Sequence, residues 1–322
     1  MRVFVEVAAA RSMTLAAAKL GMTQSAVSQA VRKLETNLGV TLLEHGRRPV
    51  TLTAAGLLLE RRAPPLLRDA ARLPHALRET GAVPVQEIRL GLVDTFASTA
   101  GPGLIRELTA SAARVIIWSG LAPSLGAALV ARDVDAIVTP DTLDDMDGLV
   151  RLPLWKEPFL LLLPGAMRAE AGRLTLDELA ADLPLVRYSA RSHTGLQIER
   201  HLRRVGVAAE RRIEVDGSDA LVAMVAAGVG WAISTPLCLL QGAAHAARTH
   251  AEALPGPGFN RTLSLVCLED GPAGVAAQTA TAAARVLRRD CLPRLRTMLP
   301  RLADAIHATS PNDQQQGFQD DP

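Results

Sequence analysis

AAAKLGMTQSAVSQAVRKLE, residues Ala16 to Glu35, decides how the N-terminal end of this chain folds. Alanine and leucine run up to Gly21, a residue that tolerates the left-handed conformation closing a helix. Thr23 then offers a hydroxyl to cap a new helix. Along it Val27, Val31, Leu34 and Leu38 recur at spacings of four, three and four, which is one helix face. Ser25, Gln29, Arg32 and Thr36 repeat that spacing on the opposite face, with Ser28 beside them. One side is built to pack. The other presents hydroxyls, an amide and a guanidinium, and two readings fit it: a merely solvated face, or a face that meets a polar partner.

Upstream, Phe4, Val7 and Ala8 form the apolar side of a first helix, and Ser12 or Thr14 can cap a second that ends at Gly21. Downstream, GVTLLEHGRRPVTLT gives two short β-rich runs around His45-Gly46-Arg47-Arg48, a tight turn with two arginines at its tip. From Thr53 to about residue 80 the pattern is helical again. Leu66, Ala70, Leu73 and Leu77 make a narrow seam suited to a partner helix. Pro64, Pro65 and Pro74 oppose it, since proline lacks the N–H and clashes with the preceding turn. A break or kink is expected near 62–65, with Pro65 in the first turn of a new segment.

With 322 residues, 48% of them hydrophobic, the chain is long enough for two domains with a sizeable core. The net charge of +2 is unevenly spread. Residues 1–62 hold nine Lys/Arg and four acids, a net of +5, which leaves −3 for the rest. A basic head on a mildly acidic body suits contact with a polyanion. Cys238, Cys267 and Cys291 sit in or beside apolar runs without CxxC spacing and read as buried structural thiols. No secretory leader and no apolar run of membrane-spanning length is present, so a cytoplasmic protein without membrane contact is expected.

From Gln86 onward strands and helices alternate. EIRLGLV, ARVIIW, DVDAIV, FLLLL, PLVRY, RRIEV, GWAIS and RTLSLVCL read as strands; Gly103–Ala112, Leu125–Ala131, Leu196–Val205 and Asp219–Ala227 read as helices. Such alternation predicts an α/β body of parallel sheets covered by helices. Residues 308–322 are polar and expected to be disordered. Enzyme motifs are missing: no HExxH, GxSxG, P-loop or complete GxGxxG, and the body's one lysine, Lys156, lies in a strand-like context. His245 and His250 lack further ligands, so neither a metal, a cofactor nor a catalytic residue is expected.

At FVEVAAARSMTLAAAKLGMTQSAVSQAVRKLETNLGVTLLEHGRRPVTLTAAG the sequence resembles the N-terminal domain of LysR-type transcriptional regulators. IRLGLVDTF, DVDAIV, LLLLP and VDGSDALVAMVAAGVGWAISTP look like landmarks of that family's effector domain. The resemblance implies a winged helix-turn-helix at 1–56, a dimerising linker helix at 57–82 and an effector-binding domain at 83–307. The last would be two α/β subdomains, about 83–163 with 267–307 and about 164–266, joined by two crossing strands as in periplasmic solute-binding proteins. Three departures stand out. The first helix begins almost at Met1, Met13 replaces a common aromatic, and the linker prolines oppose one long helix.

The resemblance assigns Thr23, Gln24, Ser25, Ser28, Gln29 and Arg32 to double-stranded DNA, with Arg47 and Arg48 at the wing tip. Glutamine pairs with adenine and arginine with guanine or phosphate, while hydroxyls serve either base or backbone. Between the subdomains, Thr95, Ser119, Thr139, Ser189, Ser192, His193 and Thr194 lie at strand ends and helix starts, where open α/β sheets bind ligands. Hydroxyls and free N–H groups favour an anion, so a small carboxylate effector is expected. The same residue types also serve as ordinary caps and turns. A homodimer or homotetramer is implied, with RNA polymerase as a further partner for an activator. The alternative is a DNA-binding regulator whose ligand-free body acts only in oligomerisation.

Overall fold

The computed structural model describes residues 1–44, 49–78, 85–169, 172–210, 212–272 and 274–309, with backbone alone at 65, 68, 69, 71–78, 85, 86 and 169. The chain divides into two units, Met1–Val83 and Pro84–Pro322.

The first unit holds helices α1 (Arg2–Ala10), α2 (Met13–Leu20), α3 (Gln24–Leu38) and α4 (Ala54–Arg78). Its caps are chemically explicit. Ser12 Oγ accepts from Leu15 N at 3.3 Å and Thr23 Oγ1 from Ala26 N at 3.2 Å. Gly21 closes α2 at φ 63°, and Met22 N reaches back to Ala17 O at 3.0 Å. Phe4, Val7, Ala8, Ala16, Ala17, Val27 and Val31 bury together with Leu42, Leu43 and Leu52. Leu38, expected on the packed face, is 46% exposed, because α3 outruns the small core it packs on. Leu43 and Leu52 bridge antiparallel at the base of the hairpin. Its turn, with Arg47 and Arg48, lies outside the described residues. Gly56 is held against the first hairpin run so closely that an added Cβ would stand 2.1 Å from Leu42 O.

The expected segment break at 62–65 does not occur. α4 runs through Pro64, Pro65 and Pro74 as one helix. Pro64 and Pro65 cannot donate to the carbonyls of Glu60 and Arg61, which costs helix stability without ending the helix.

The second unit runs β1 (Val85–Val93), α5 (Asp94–Thr99), α6 (Gly101–Leu108), β2 (Ala112–Gly120), α7 (Ala122–Val130), β3 (Ala136–Thr139), β4 (Leu149–Pro158) and β5 (Leu160–Pro164). It continues α8 (Leu176–Asp182), β6 (Val186–Tyr188), α9 (His193–Val205), β7 (Ile213–Val215), α10 (Ser218–Ala226), β8 (Ala232–Ser234), α11 (Pro236–Gln241), α12 (Ala243–Ala246), β9 (Thr249–Ala253) and β10 (Asn260–Leu268), and closes with α13 (Val275–Val286), α14 (Leu292–Met298) and β11 (His307–Ala308). One sheet has the order β11-β4-β10-β3-β1-β2 and another β8-β5-β9. A two-stranded sheet, β6-β7, joins the latter through the parallel bridge Leu185–Trp231. The chain passes from the first sheet to the second at Phe159, between β4 and β5, and returns between β9 and β10. These are the two crossing strands.

Several expectations need correcting. The six-stranded sheet is mixed, not parallel: β1 pairs parallel with β2 and β3, but β10 runs antiparallel to β3 and β4. Sheet membership puts β5 with the second subdomain and β10 with the first, so the subdomain limits fall near 159 and 254–259 rather than 163 and 267. The helix expected to reach Ala112 ends at Leu108, and Ala112 already starts β2. Ala308 belongs to β11, and Thr309 N donates to Leu154 O at 2.8 Å, so order extends beyond the expected start of the tail. Residues 310–322 lie outside the described ones.

Candidate DNA and effector sites

In the first unit, Gln24, Ser25, Gln29, Arg32 and Thr36 are all exposed, and Ser28 is half-buried. Their common face looks away from Val27 and Val31, which are buried. Thr23 is committed to capping α3, and its Oγ1 also lies 3.0 Å from Ser25 Oγ. The cap orders the first turn, whose free N–H groups favour a phosphate. Arg32 makes no ion pair among the described residues. By contrast, Lys19 is held by Glu6 at 2.6 Å and Arg11 by Glu60 at 3.0 Å. Sequence reasoning missed Glu35. Its Oε1 accepts from Leu42 N at 2.7 Å and Leu43 N at 3.2 Å, fixing the hairpin's first run against α3. A lone acid in a helical repeat gives no sign of such a tie.

In the second unit, a cavity of about 50 Å³ lies between the two subdomains. It is walled by the first turns of several helices: Asp94 and Thr95 of α5, Ala122 of α7, His193 and Thr194 of α9, Ser218 of α10 and Cys238 of α11. Thr95, Ser192, His193 and Thr194 line it. Ser119, Thr139 and Ser189 do not line it. Ser119 is exposed near the end of β2. Thr139 is fully buried, with Oγ1 accepting from Asp141 N at 3.1 Å. Ser189 braces the loop, its carbonyl accepting from Ser192 Oγ at 3.0 Å. Ser192 in turn caps α9, accepting from Gly195 N at 2.9 Å. Gly195 has no room for a side chain: a Cβ would meet Ser189 O at 2.4 Å.

Beneath the cavity lies a polar cluster that sequence reasoning did not find. Arg261 of β10 and Glu157 of β4 face each other in register across the crossing strands, both essentially without solvent contact. Arg261 Nε donates to Glu157 Oε1 at 2.8 Å, Nη1 to Thr194 Oγ1 at 3.1 Å and Nη2 to Cys238 Sγ at 3.4 Å. Glu157 Oε2 also accepts from Trp155 Nε1 at 3.0 Å and Leu237 N at 2.8 Å. Each Arg261 nitrogen thus has a partner, as a buried charge pair requires. Tyr188 OH donates to Ser218 Oγ at 3.1 Å and lies 3.0 Å from Ser234 Oγ. Burial, reinforced by Cys238, pushes the Tyr188 phenol well above its ordinary range. Contacts also cross between the subdomains: Thr95 Oγ1 lies 3.5 Å from Ser218 Oγ, and His193 Nδ1 3.5 Å from Asp141 Oδ2. Burial holds the His193 imidazole below its usual value, against the pull of Asp141.

Family models fit both units. The LysR substrate binding domain matches residues 81–287, and the bacterial regulatory helix-turn-helix protein, lysR family, matches residues 1–57. The chain belongs to the LysR family. It is a LysR-type DNA-binding transcriptional regulator with an effector-binding domain. A Shigella flexneri relative, the uncharacterized HTH-type transcriptional regulator YfeR, is 30% identical over 248 residues, 74% of this chain and 78% of YfeR. The Escherichia coli DNA-binding transcriptional dual regulator OxyR is 29% identical over 159 residues, 49% of this chain. The match spans about half the length of OxyR and of a Streptomyces viridosporus relative, 52% and 53%. Among solved structures, full-length CbnR complexed with its target DNA shares the fold, with a TM-score of 0.60 at 20% identity, covering 88% of this chain and 97% of CbnR. No helix among the described residues is long and apolar enough to cross a membrane.

Proposed function

We propose that this LysR-type regulator reads operator DNA with the exposed face of α3 and takes a small anion, of the carboxylate class, into the cleft between its subdomains. The observation that supports the ligand class is the cavity wall. First turns of α5, α7, α9, α10 and α11 meet around one space, above a buried guanidinium. Helix N-termini present unpaired N–H groups and partial positive charge, which favour an anion. Asp94 and Asp216, also lining the cavity, limit how much anionic charge it tolerates. A space of about 50 Å³ admits a few water-sized groups, so larger effectors require the subdomains to part. Differential affinity for the closed and parted arrangements would then bias the regulator.

For DNA, Gln24 and Gln29 suit adenine edges, Arg32 suits guanine or phosphate, and Ser25 and Ser28 suit either base or backbone, with Thr23 ordering the turn. Arg47 and Arg48 complete the proposed contact at the wing. The regulator works in the cytoplasm as a homodimer or homotetramer, with RNA polymerase as partner when it activates, and needs no cofactor or catalysis.

Two measurements test this. Small carboxylates should raise the melting temperature of the protein, since ligand binding stabilises by RT ln(1 + [L]/Kd). Thr95→Ala and Ser192→Ala should weaken that response, and unchanged responses in both variants sink the assignment. Arg32→Ala should cost about 1–3 kcal/mol and relax one operator position if it reads a base. A uniform loss with a salt slope lower by about one marks a phosphate contact instead.

A further inference from the structure

Away from the cleft, a groove of about 1260 Å³ is lined by β9, α12 and the turn that follows α14. Met298 to Leu302 belong to the chain segment that returns to the first sheet as β11, whereas Leu239, Thr249 and Glu252 belong to the second subdomain. Leu239, Leu254 and Leu299 are buried beneath it, and Leu174, Met298 and Leu302 are half-buried. Its inner polar groups are spent. Thr249 Oγ1 donates to Ala246 O at 2.9 Å. Glu252 Oε1 accepts from Gly172 N at 3.1 Å, and its Oε2 lies 3.8 Å from His250 Nε2. Arg168 and Arg301 differ from these. Both line the groove and are exposed, and neither has an ion pair or a side-chain hydrogen bond among the described residues.

We propose that this groove binds a single-chain anionic amphiphile of the fatty-acid class. Its hydrocarbon lies on the leucines and its head is held by the arginines. The apolar lining sets the body of the guest. A sugar or a nucleotide would bury hydroxyls and ring nitrogens against leucine without partners, which is costly. A hydrocarbon chain has none to lose and gains by leaving water. The volume exceeds the roughly 300–1,000 Å³ of ordinary small-molecule sites, so a long chain has room. The two unpaired guanidiniums set the head, since they bind a carboxylate bidentately and repel an ammonium. Glu252 opposes a multiply charged head, and one negative charge suits the balance.

An occupant of this groove touches both subdomains. A guest that prefers one of their arrangements shifts the regulator toward it, independently of the cleft. The cleft itself, at about 50 Å³, cannot admit a long chain.

Isothermal titration of the purified full chain with octanoate, decanoate and dodecanoate, each below its micelle concentration, tests this. Dodecanoate should bind saturably, and affinity should rise by up to about fourfold per methylene along the series. Dodecylammonium should bind at least about tenfold more weakly than dodecanoate. Arg168→Glu combined with Arg301→Glu changes two exposed positions and should leave the melting curve of the free protein intact. It should lower dodecanoate affinity about tenfold or more. Ala246→Trp should block the chain by filling the groove, with both arginines in place. Thr95→Ala combined with Ser192→Ala should leave dodecanoate binding unchanged, which separates this site from the cleft. No binding, equal binding of dodecylammonium, or undiminished binding in both groove variants overturns the proposal. So does a loss confined to the Thr95 and Ser192 variant, which would put the amphiphile in the cleft. Failure of dodecanoate to bind, together with a lower assembly mass for Ala246→Trp in sedimentation equilibrium, would assign the groove to a second copy of the chain instead.

Discussion

His193 sits where the two subdomains touch, with side-chain exposure of 19% and Asp141 3.5 Å away on the opposite side. Burial lowers its pKa, with Arg200 and Arg261 adding to that effect and Asp141 opposing it. In the unfolded chain it titrates near 6.5. Between that value and the lower folded one, the unfolded state binds more protons. Stability is therefore full above about 6.5, falls as pH drops through that value, and levels off below the folded pKa. His193→Gln should flatten this slope, measured as melting temperature between about pH 7.5 and 5. An identical slope in both proteins would remove His193 as its source. His201, also lowered by burial, contributes slope of the same sign in either case. Residues whose role is local were legible in the sequence: Ser12, Thr23 and Gly21 cap helices because of their own chemistry and immediate neighbours. Thr95, Ser192, His193 and Thr194 could be placed by their position before helices. Arg261, Glu157, Tyr188 and Ser218 could not. Arg261 and Glu157 meet through sheet register across 104 positions of chain, and Tyr188 meets Ser218 of α10 across 30, so no local pattern marks them.

Strand β4 shows the same limit for whole elements. Its sequence LVRLPLWKEP was not among the expected strands, although Lys156 lay in a strand-like context, and within sheets proline is confined to edges and bulges. The structure supplies a bulge. Register between β4 and β10 shifts at Leu263/Ser264, so Leu154 is the extra residue and Pro153 stands beside it. The shift brings Trp155 and Glu157 inward, and with them the anchor for Arg261. Helix α4 is the converse case, a helix kept despite its prolines. Pro64 denies Glu60 O its intrahelical donor, while the Glu60 side chain is tied to Arg11. An interior proline costs a helix about 3 kcal/mol, so Pro64→Ala should stabilise the first unit by up to about that amount. The gain is reduced by the greater freedom that alanine gives the unfolded chain. A urea midpoint that stays put or falls would mean that α4 accommodates the ring without loss.

On the scale of the molecule, the basic N-terminal segment and the acidic remainder divide the work. The first 62 residues carry a net charge of +5, which suits a polyanion, and the body holds a cleft too small for anything but a few atoms. What the single chain leaves open is apolar surface. Leu66 of α4 is 55% exposed, on a helix 25 residues long. Ala70 is exposed as well. In an isolated chain that seam has nothing to pack on, whereas a second α4 would bury it by helix packing. Leu66→Glu should therefore lower the assembly mass in sedimentation equilibrium. It should also weaken operator binding by roughly 10²-fold or more, because two linked heads bind with an effective concentration that separate heads lack. Non-specific affinity, set by the charge of each head, should change far less. If the mass is unchanged, the seam is not what holds the copies together. The next surface to test is then β2, an edge strand of nine residues that leaves Trp118 44% exposed and one backbone side unpaired in the sheet.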